Sequence, residues 1–451
     1  MNRANDGTAG PGVNLLALRS HNAALVLELL RTAGDEGISR LELAERTGLT
    51  PQAVSKITAR LREDGLAAEA GRRASTGGKP RTVLRLVPDA GHAVGVHLDR
   101  DELRAVLVDL RGAVVRERRT ALDLGAGAEA VLGAVTEAVT GVLTDGRTAE
   151  PPDGAALGSG RDGRLAGGRG RALPGGRDGT LPGGPDGPDV QSRALPGSPD
   201  GKLPDGKLPG GTLGDGKLPG GTLRSGAPGR GGGALLGVGV VLPGPLDHAR
   251  GVLHRVTGFP EWDGFPLREA LAGRLGVPVV VDKDTNAAAL GLAVEGEAGS
   301  FAYLHLGTGL GAGLVIGGRV HRGARTGAGE FGHQVIQLDG PPCGCGDRGC
   351  VEALCLGAVA RGDVEEAARV LGAGAANLVG LLDIDLVLLG GRTVTSAPEP
   401  FLRGVGAVLA ERARRTGQGV VPVRLAPGGG RAVAVGAAQL VLGPVFGRRD
   451  G

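Results

Sequence analysis

The stretches GEFGH, residues 329–333, and CGCGDRGCVE, residues 343–352, set the frame in which the rest of the chain is read. They bring one imidazole, His333, close in sequence to three thiols, Cys343, Cys345 and Cys350. Three soft sulfurs and one nitrogen form a four-donor set that suits tetrahedral zinc and leaves no position open for water. Such an ion would be structural. The glycines between the cysteines let a short loop wrap around it. The plainer alternative is four unrelated residues in a polar loop. The fourth cysteine, Cys355, reads as a small buried residue rather than a ligand.

Thiols gathered in this way are no disulfide framework, and they suit a reducing cytoplasm. At 451 residues the chain is long enough for two or three domains. Aromatic residues make up only 2% of it, so its cores must be built from Leu, Val and Ala. The net charge of +3 does not by itself point to nucleic acid. Its distribution does. Between Thr50 and Arg85 stand eight Lys/Arg residues and three acids, a local patch suited to phosphates. No charged-then-apolar leader opens the sequence, and no unbroken apolar run of bilayer length occurs in it. A cytoplasmic protein without a membrane partner is therefore expected.

Residues 1–13 read as a flexible tail and residues 14–88 as a DNA-binding domain. Ser39 is placed to cap a helix carrying Leu41, Leu43 and Ala44. Gly48-Leu49-Thr50 turns into a second helix, with Thr50 as its cap and Pro51 in its first turn. Val54, Ile57 and Leu61 form one stripe, which leaves Gln52, Ser55, Lys56 and Thr58 largely off it. Helix, glycine turn and polar-faced helix are the helix-turn-helix signature. Two short strands, near residues 65–69 and 82–86, would flank a basic wing of Arg72, Arg73, Lys79 and Arg81. The expected DNA contacts are Thr50, Gln52, Ser55, Lys56, Thr58 and Arg60 from the helix, with Lys79 and Arg81 from the wing. An ordinary three-helix interaction module is the alternative, and the polar face and basic wing outweigh it.

From Ala93 the period changes to that of strands, followed by a helix near residues 128–143. Residues 147–233 are dominated by Gly, Pro, Asp, Lys and Leu, and the run from Asp205 to Leu213 repeats at 215–223. A ten-residue repeat suits a solenoid, but dense Pro and Gly favour a disordered insert. Strand-like Leu235–Leu242 resumes directly afterwards, so the insert interrupts a domain; long insertions are tolerated because loop-closure cost grows slowly with length. Strands and helices then alternate to the end, which implies an α/β architecture.

Further motifs carry a family resemblance over nearly the whole chain outside the insert. Pro243-Gly-Pro-Leu-Asp247, Val281-Asp-Lys-Asp-Thr-Asn286, Leu306-Gly-Thr-Gly-Leu-Gly-Ala-Gly313 and Leu389-Gly-Gly391, together with the cysteine loop, resemble the ROK family of repressors, open reading frames and sugar kinases. The winged helix-turn-helix and Leu18-Arg-Ser-His-Asn22 are similar to its repressor branch, that of the xylose and N-acetylglucosamine repressors. The resemblance implies that residues 89–451 form a two-lobed, actin-like (ribonuclease H-like) ROK domain with a sugar cleft. It also implies that the zinc loop supports that cleft. Asp284 would be the general base if the protein were a kinase. Asp284, Glu330, His333 and Glu352 would hold the sugar, and Lys283, where the family has Asn, would join them.

One departure argues against phosphoryl transfer. Where the kinases carry Asp-x-Gly-Gly-Thr, this chain has His97-Leu-Asp-Arg-Asp-Glu102, and side chains fill the space a phosphate needs. The expectation is thus a sugar-responsive transcriptional regulator, a repressor, bound to a double-stranded operator as a homodimer or higher oligomer. Two alternatives remain: an ATP-dependent sugar kinase with an added DNA-binding domain, and a ligand-independent regulator whose cleft has decayed.

Overall fold

The computed structural model describes residues 21–73, 81–144 and 233–448, apart from Arg255, Thr257, Gly258 and Ala298. The expected tail, most of the wing with Lys79, and the expected insert lie outside the described residues.

The N-terminal domain runs α1 (His21–Thr32), β1 (Ile38–Ser39), α2 (Arg40–Thr47), α3 (Pro51–Glu63), β2 (Ala67–Arg73) and β3 (Arg81–Leu86). The strands form a small sheet in the order β1-β3-β2. Ser39 caps α2 in a reciprocal arrangement: its hydroxyl accepts from Glu42 N at 3.3 Å, while Ser39 N donates to Glu42 Oε2 at 2.8 Å. Gly48 ends α2 in the left-handed conformation, and Thr50 caps α3 by accepting from Ala53 N at 3.3 Å. The turn between the two helices therefore follows directly from its residues.

The ROK-like part consists of two sheets with a shared plan. The first lobe contains β4 (Gly91–Leu98), β5 (Glu102–Asp109), β6 (Val114–Ala121), α4 (Ala128–Thr144), β7 (Ala234–Leu242), the hairpin β8 (Leu246–Asp247) and β9 (Val252–Leu253), α5 (Leu267–Leu275) and β10 (Val279–Lys283). The helix α6 (Asp284–Val294) leads into the second lobe. There follow β11 (Phe301–Leu306), β12 (Leu310–Ile316), β13 (Arg319–Val320), α7 (Val351–Ala360), α8 (Val364–Leu382), β14 (Leu386–Gly390), α9 (Arg392–Ser396), α10 (Pro398–Thr416) and β15 (Val423–Leu425). The last long helix is α11 (Ala432–Leu442). The sheet orders are β10-β7-β4-β5-β6 and β13-β12-β11-β14-β15. In each sheet the first three strands are antiparallel, and the last two join parallel on the far side of the first. The same topology is thus used twice.

Two helices made of small residues lie between the sheets. α11 packs on β4 and β7, α6 packs on β12, and the two helices pack on each other. Glycine permits the approach: a Cβ on Gly95 would stand 1.9 Å from Ala434 O, and one on Gly436 would stand 1.9 Å from Ala287 O. The segment Gly429–Phe446 is the one helical stretch among the described residues long and apolar enough to cross a bilayer. Here it is core, with Val433, Ala434, Ala437 and Ala438 buried.

The N-terminal domain shares this core. Val26, Leu27 and Leu30 of α1 belong to the same buried cluster as Val106 and Val108 of β5 and Ala438, Leu442 and Phe446. Glu28 accepts from Arg448 Nη2 at 2.5 Å and from Arg31 Nε at 2.9 Å, and Arg111 Nη2 lies 2.7 Å from Asp35 Oδ1.

The glycine-rich stretch 306–313 is mostly strand. Only Gly307, Thr308 and Gly309 form a turn, between β11 and β12. Gly313 instead lets β12 meet α6, since a Cβ there would stand 2.0 Å from Thr285 O.

Candidate functional site

The cleft side chains come from the ends of elements. Lys283 closes β10 and Asp284 opens α6, so both stand at the C-terminal edge of the first lobe's parallel strands. Glu330 precedes the short turn Phe331–His333, and Glu352 lies in the first turn of α7. Together with His333 and Arg100 they line one cavity of about 70 Å³. All five expected ligand-binding residues therefore meet in one place. Arg100 joins them, a residue to which sequence reasoning gave no role.

Within the cleft each carboxylate commits one oxygen to the protein. Asp284 Oδ1 accepts from Thr285 N at 2.6 Å, and Glu352 Oε2 accepts from Leu310 N at 2.8 Å. Glu330 Oε1 accepts from Lys283 Nζ at 2.5 Å, and the same ammonium donates to Ala328 O at 2.9 Å. Lys283 is only 3% exposed, and its stem runs beneath Gly244 of the Pro-Gly-Pro turn. The lysine is thus a buried internal partner of Glu330 rather than a solvent group.

Two imidazoles stand behind Asp284. His97 is buried, which lowers its affinity for a proton, and its Nε2 has no hydrogen-bond partner among the described residues. His305 lies 6.3 Å from it, ring to ring, and is held by Tyr303 Oη at 2.9 Å from Nδ1. Burial pushes the Tyr303 hydroxyl far above its ordinary range, with Asp284 adding to the effect, so it stays protonated. Neither histidine was singled out from sequence; only adjacency to the two cleft turns could have flagged them.

The metal-type residues converge. One donor atom each from His333, Cys343, Cys345 and Cys350 lies within 4.8 Å of the others. Cys343 Sγ stands 3.7 Å from His333 Nδ1, and Cys345 Sγ stands 3.7 Å from Cys350 Sγ. Bonds of about 2.3 Å to sulfur give a tetrahedron with edges of roughly 3.7–3.8 Å, so the donors fit zinc. Burial and the neighbouring thiols push Cys350 up to about 12, and a bound cation would reverse that resistance to ionisation. Zinc would supply a rigid link. Gly349, at φ 66°, leaves no room for a side chain, with Gln337 O 1.6 Å from its would-be Cβ. Cys350 then stands as the N-cap of α7, the helix that carries Glu352. His333 turns Nδ1 toward the cysteines while its ring also lines the cleft, so the zinc and sugar roles are compatible.

On the DNA-binding side, Thr50, Gln52, Ser55, Lys56 and Arg60 are exposed along α3, and Arg81 is exposed at the start of β3. Thr58 is a correction. It is fully buried, its hydroxyl donating to Val54 O at 2.8 Å and accepting from Arg40 Nε at 3.3 Å. Positions 54, 58 and 61 make the buried stripe, and Ile57 is only partly covered.

Comparison with known proteins finds matches over both regions of the chain. The ROK family model matches residues 227–366, and a winged helix-turn-helix DNA-binding model matches residues 25–67. Residues 227–366 thus match the ROK family, and residues 25–67 match a winged helix-turn-helix. The chain is 23% identical over 331 residues to the xylose repressor of Bacillus spizizenii, covering 73% of this chain and 63% of that one. It is also 40% identical over 121 residues to the glucokinase of Thermotoga maritima, covering 26% of this chain and 38% of the enzyme. The chain thus spans less than two thirds of either relative. A solved ROK-family transcriptional regulator, a homolog of the E. coli MLC protein, has the same fold at TM-score 0.61 and 17% identity, covering 95% of this chain and 97% of that one. The chain therefore resembles both repressors and kinases in sequence, and it shares its fold with that solved protein.

Proposed function

We propose that the protein is a sugar-responsive DNA-binding transcriptional regulator, a repressor, working as a homodimer or higher oligomer in the cytoplasm. The observation that carries this reading is the union of α1 with the ROK-like core through Phe446 and the Glu28–Arg448 ion pair. α6 begins in the cleft at Asp284, crosses α11 at Gly436, and α11 leads into the segment on which α1 rests. A ligand that changes the lobes' spacing would thereby reach the DNA-binding domain as a shift between two arrangements. α3 would enter the major groove with Gln52 and Ser55 at base edges, while Lys56, Arg60, Lys79 and Arg81 would meet phosphate.

In the cleft, Asp284, Glu330, His333 and Glu352 would hold sugar hydroxyls, with Lys283 fixing Glu330. A structural zinc on His333, Cys343, Cys345 and Cys350 would fix the start of α7. The test is DNA binding by α3 variants: Gln52→Ala and Ser55→Ala should relax sequence preference. Undiminished specificity in both would contradict the assignment.

A kinase is the second reading. Asp284 at the cleft and the Gly307–Gly309 turn favour it; Asp99-Arg100-Asp101 in place of a glycine turn opposes it. ATP turnover with a panel of hexoses separates the two, since Asp284-dependent product would reverse the ranking.

A further inference from the structure

The turn Asp99-Arg100-Asp101 between β4 and β5 reaches from the first lobe to the second. The Thr308 hydroxyl donates to Asp99 Oδ1 at 2.8 Å, and Arg392 Nη1 donates to Asp101 Oδ2 at 2.9 Å. Between them, the Arg100 guanidinium comes within 3.8 Å of the point where a Cβ on Gly309 would stand. On the second lobe these partners belong together, because the Thr393 hydroxyl donates to Gly307 O at 3.2 Å. Three consecutive residues of one lobe thus meet one connected surface of the other.

We infer that this turn is an interlobe clasp. A Gly-Gly-Thr turn has almost no side chains with which to span such a gap. In this chain two carboxylates span it, at the position where the kinase resemblance places nucleotide phosphates. The two links are unequal. Asp99 and Thr308 are half-buried, whereas Asp101 and Arg392 are exposed, and their attraction is weakened by solvent and salt. Burial pushes the Asp99 carboxyl up, but His97, the Arg100 N–H and the Thr308 hydroxyl together hold it below the usual range, so it remains an acceptor.

The clasp sets the width of the cleft. Asp99, Arg100 and Thr308 line the same cavity as Asp284, Glu330 and Glu352, so the clasp stands in the wall of the cleft.

Amide hydrogen exchange on the full chain tests it without any ligand. Peptides covering residues 97–103 and 306–311 should exchange about ten-fold faster in the Thr308→Val, Arg392→Gln double variant, while α4 and α8 keep their wild-type rates. Thr308→Ser, which retains the hydroxyl, should match wild type. Thr308→Val alone keeps the side-chain shape, and it decides the matter should the double variant loosen throughout. Unchanged exchange in both turns, or equal opening by Thr308→Ser and Thr308→Val, would overturn the clasp.

Discussion

Glu28 on the first helix and Arg448 near the other end of the chain, 420 residues apart, form an ion pair at 2.5 Å. The contact fastens the DNA-binding domain to the segment that continues from α11. Burial raises the Glu28 carboxyl, but the guanidiniums of Arg31 and Arg448 outweigh that and hold it below its ordinary value. A depressed carboxylate contributes stability that is present above its unfolded pKa and is lost as pH falls through the folded one. Acidification from neutral should therefore loosen the junction. Glu28→Gln should remove that pH dependence and cost on the order of 1 kcal/mol, because the pair is partly exposed. Thermal unfolding between pH 7 and pH 3 checks this, and an identical pH profile in the variant would refute it.

Two residues two positions apart on α3 should respond in opposite ways. Lys56→Ala should leave stability within about 0.5 kcal/mol and lower the salt dependence of DNA binding by about one phosphate contact. Thr58→Ala should cost about 1 kcal/mol or more, because it removes a buried hydroxyl that serves Val54 O and Arg40. Its folded fraction should still bind DNA normally. Paired denaturant and salt titrations separate the two effects.

Purified protein should carry about one zinc per chain. Cys345→Ser should lower metal content and unfolding temperature together. Metal analysis that finds no bound zinc, with full stability, would contradict the assignment.

Lys283→Met keeps the stem under Gly244 and deletes the ammonium, which leaves Glu330 without its partner. A fully buried pair broken on one side costs about 3–5 kcal/mol, and the 39% exposure of the Glu330 side chain should reduce that to roughly 1–2 kcal/mol. The variant should fold, and its sugar response should change more than its DNA affinity. Calorimetric unfolding and sugar titrations measure both.

Gly436→Ala should destabilise by about 1–3 kcal/mol, since the added carbon would meet the α6 backbone at Ala287. The α6–α11 crossing was also what sequence reasoning missed. Both helices are apolar on nearly every face, as suits elements buried between two sheets, and neither offers the one-sided period that marks a surface helix. By contrast the cysteine loop, the Ser39 and Thr50 caps and the buried strands β4 and β7 were legible, because each depends on local chemistry. The hydroxyl of Thr58 suggests the polar face, whereas 54, 58 and 61 fit the helical repeat, and the structure buries all three. Asp99 and Thr308 lie 209 residues apart, and no local pattern announces such a partnership.

The central claim is that a ligand in the cleft governs what α3 does to DNA. Its most direct test is binding of the purified protein to DNA flanking its own gene, at fixed salt, with and without hexoses, pentoses, amino sugars and their phosphates. Specific binding that one of these sugars releases is the expected result. Specific binding indifferent to every sugar, or none at all, would contradict it.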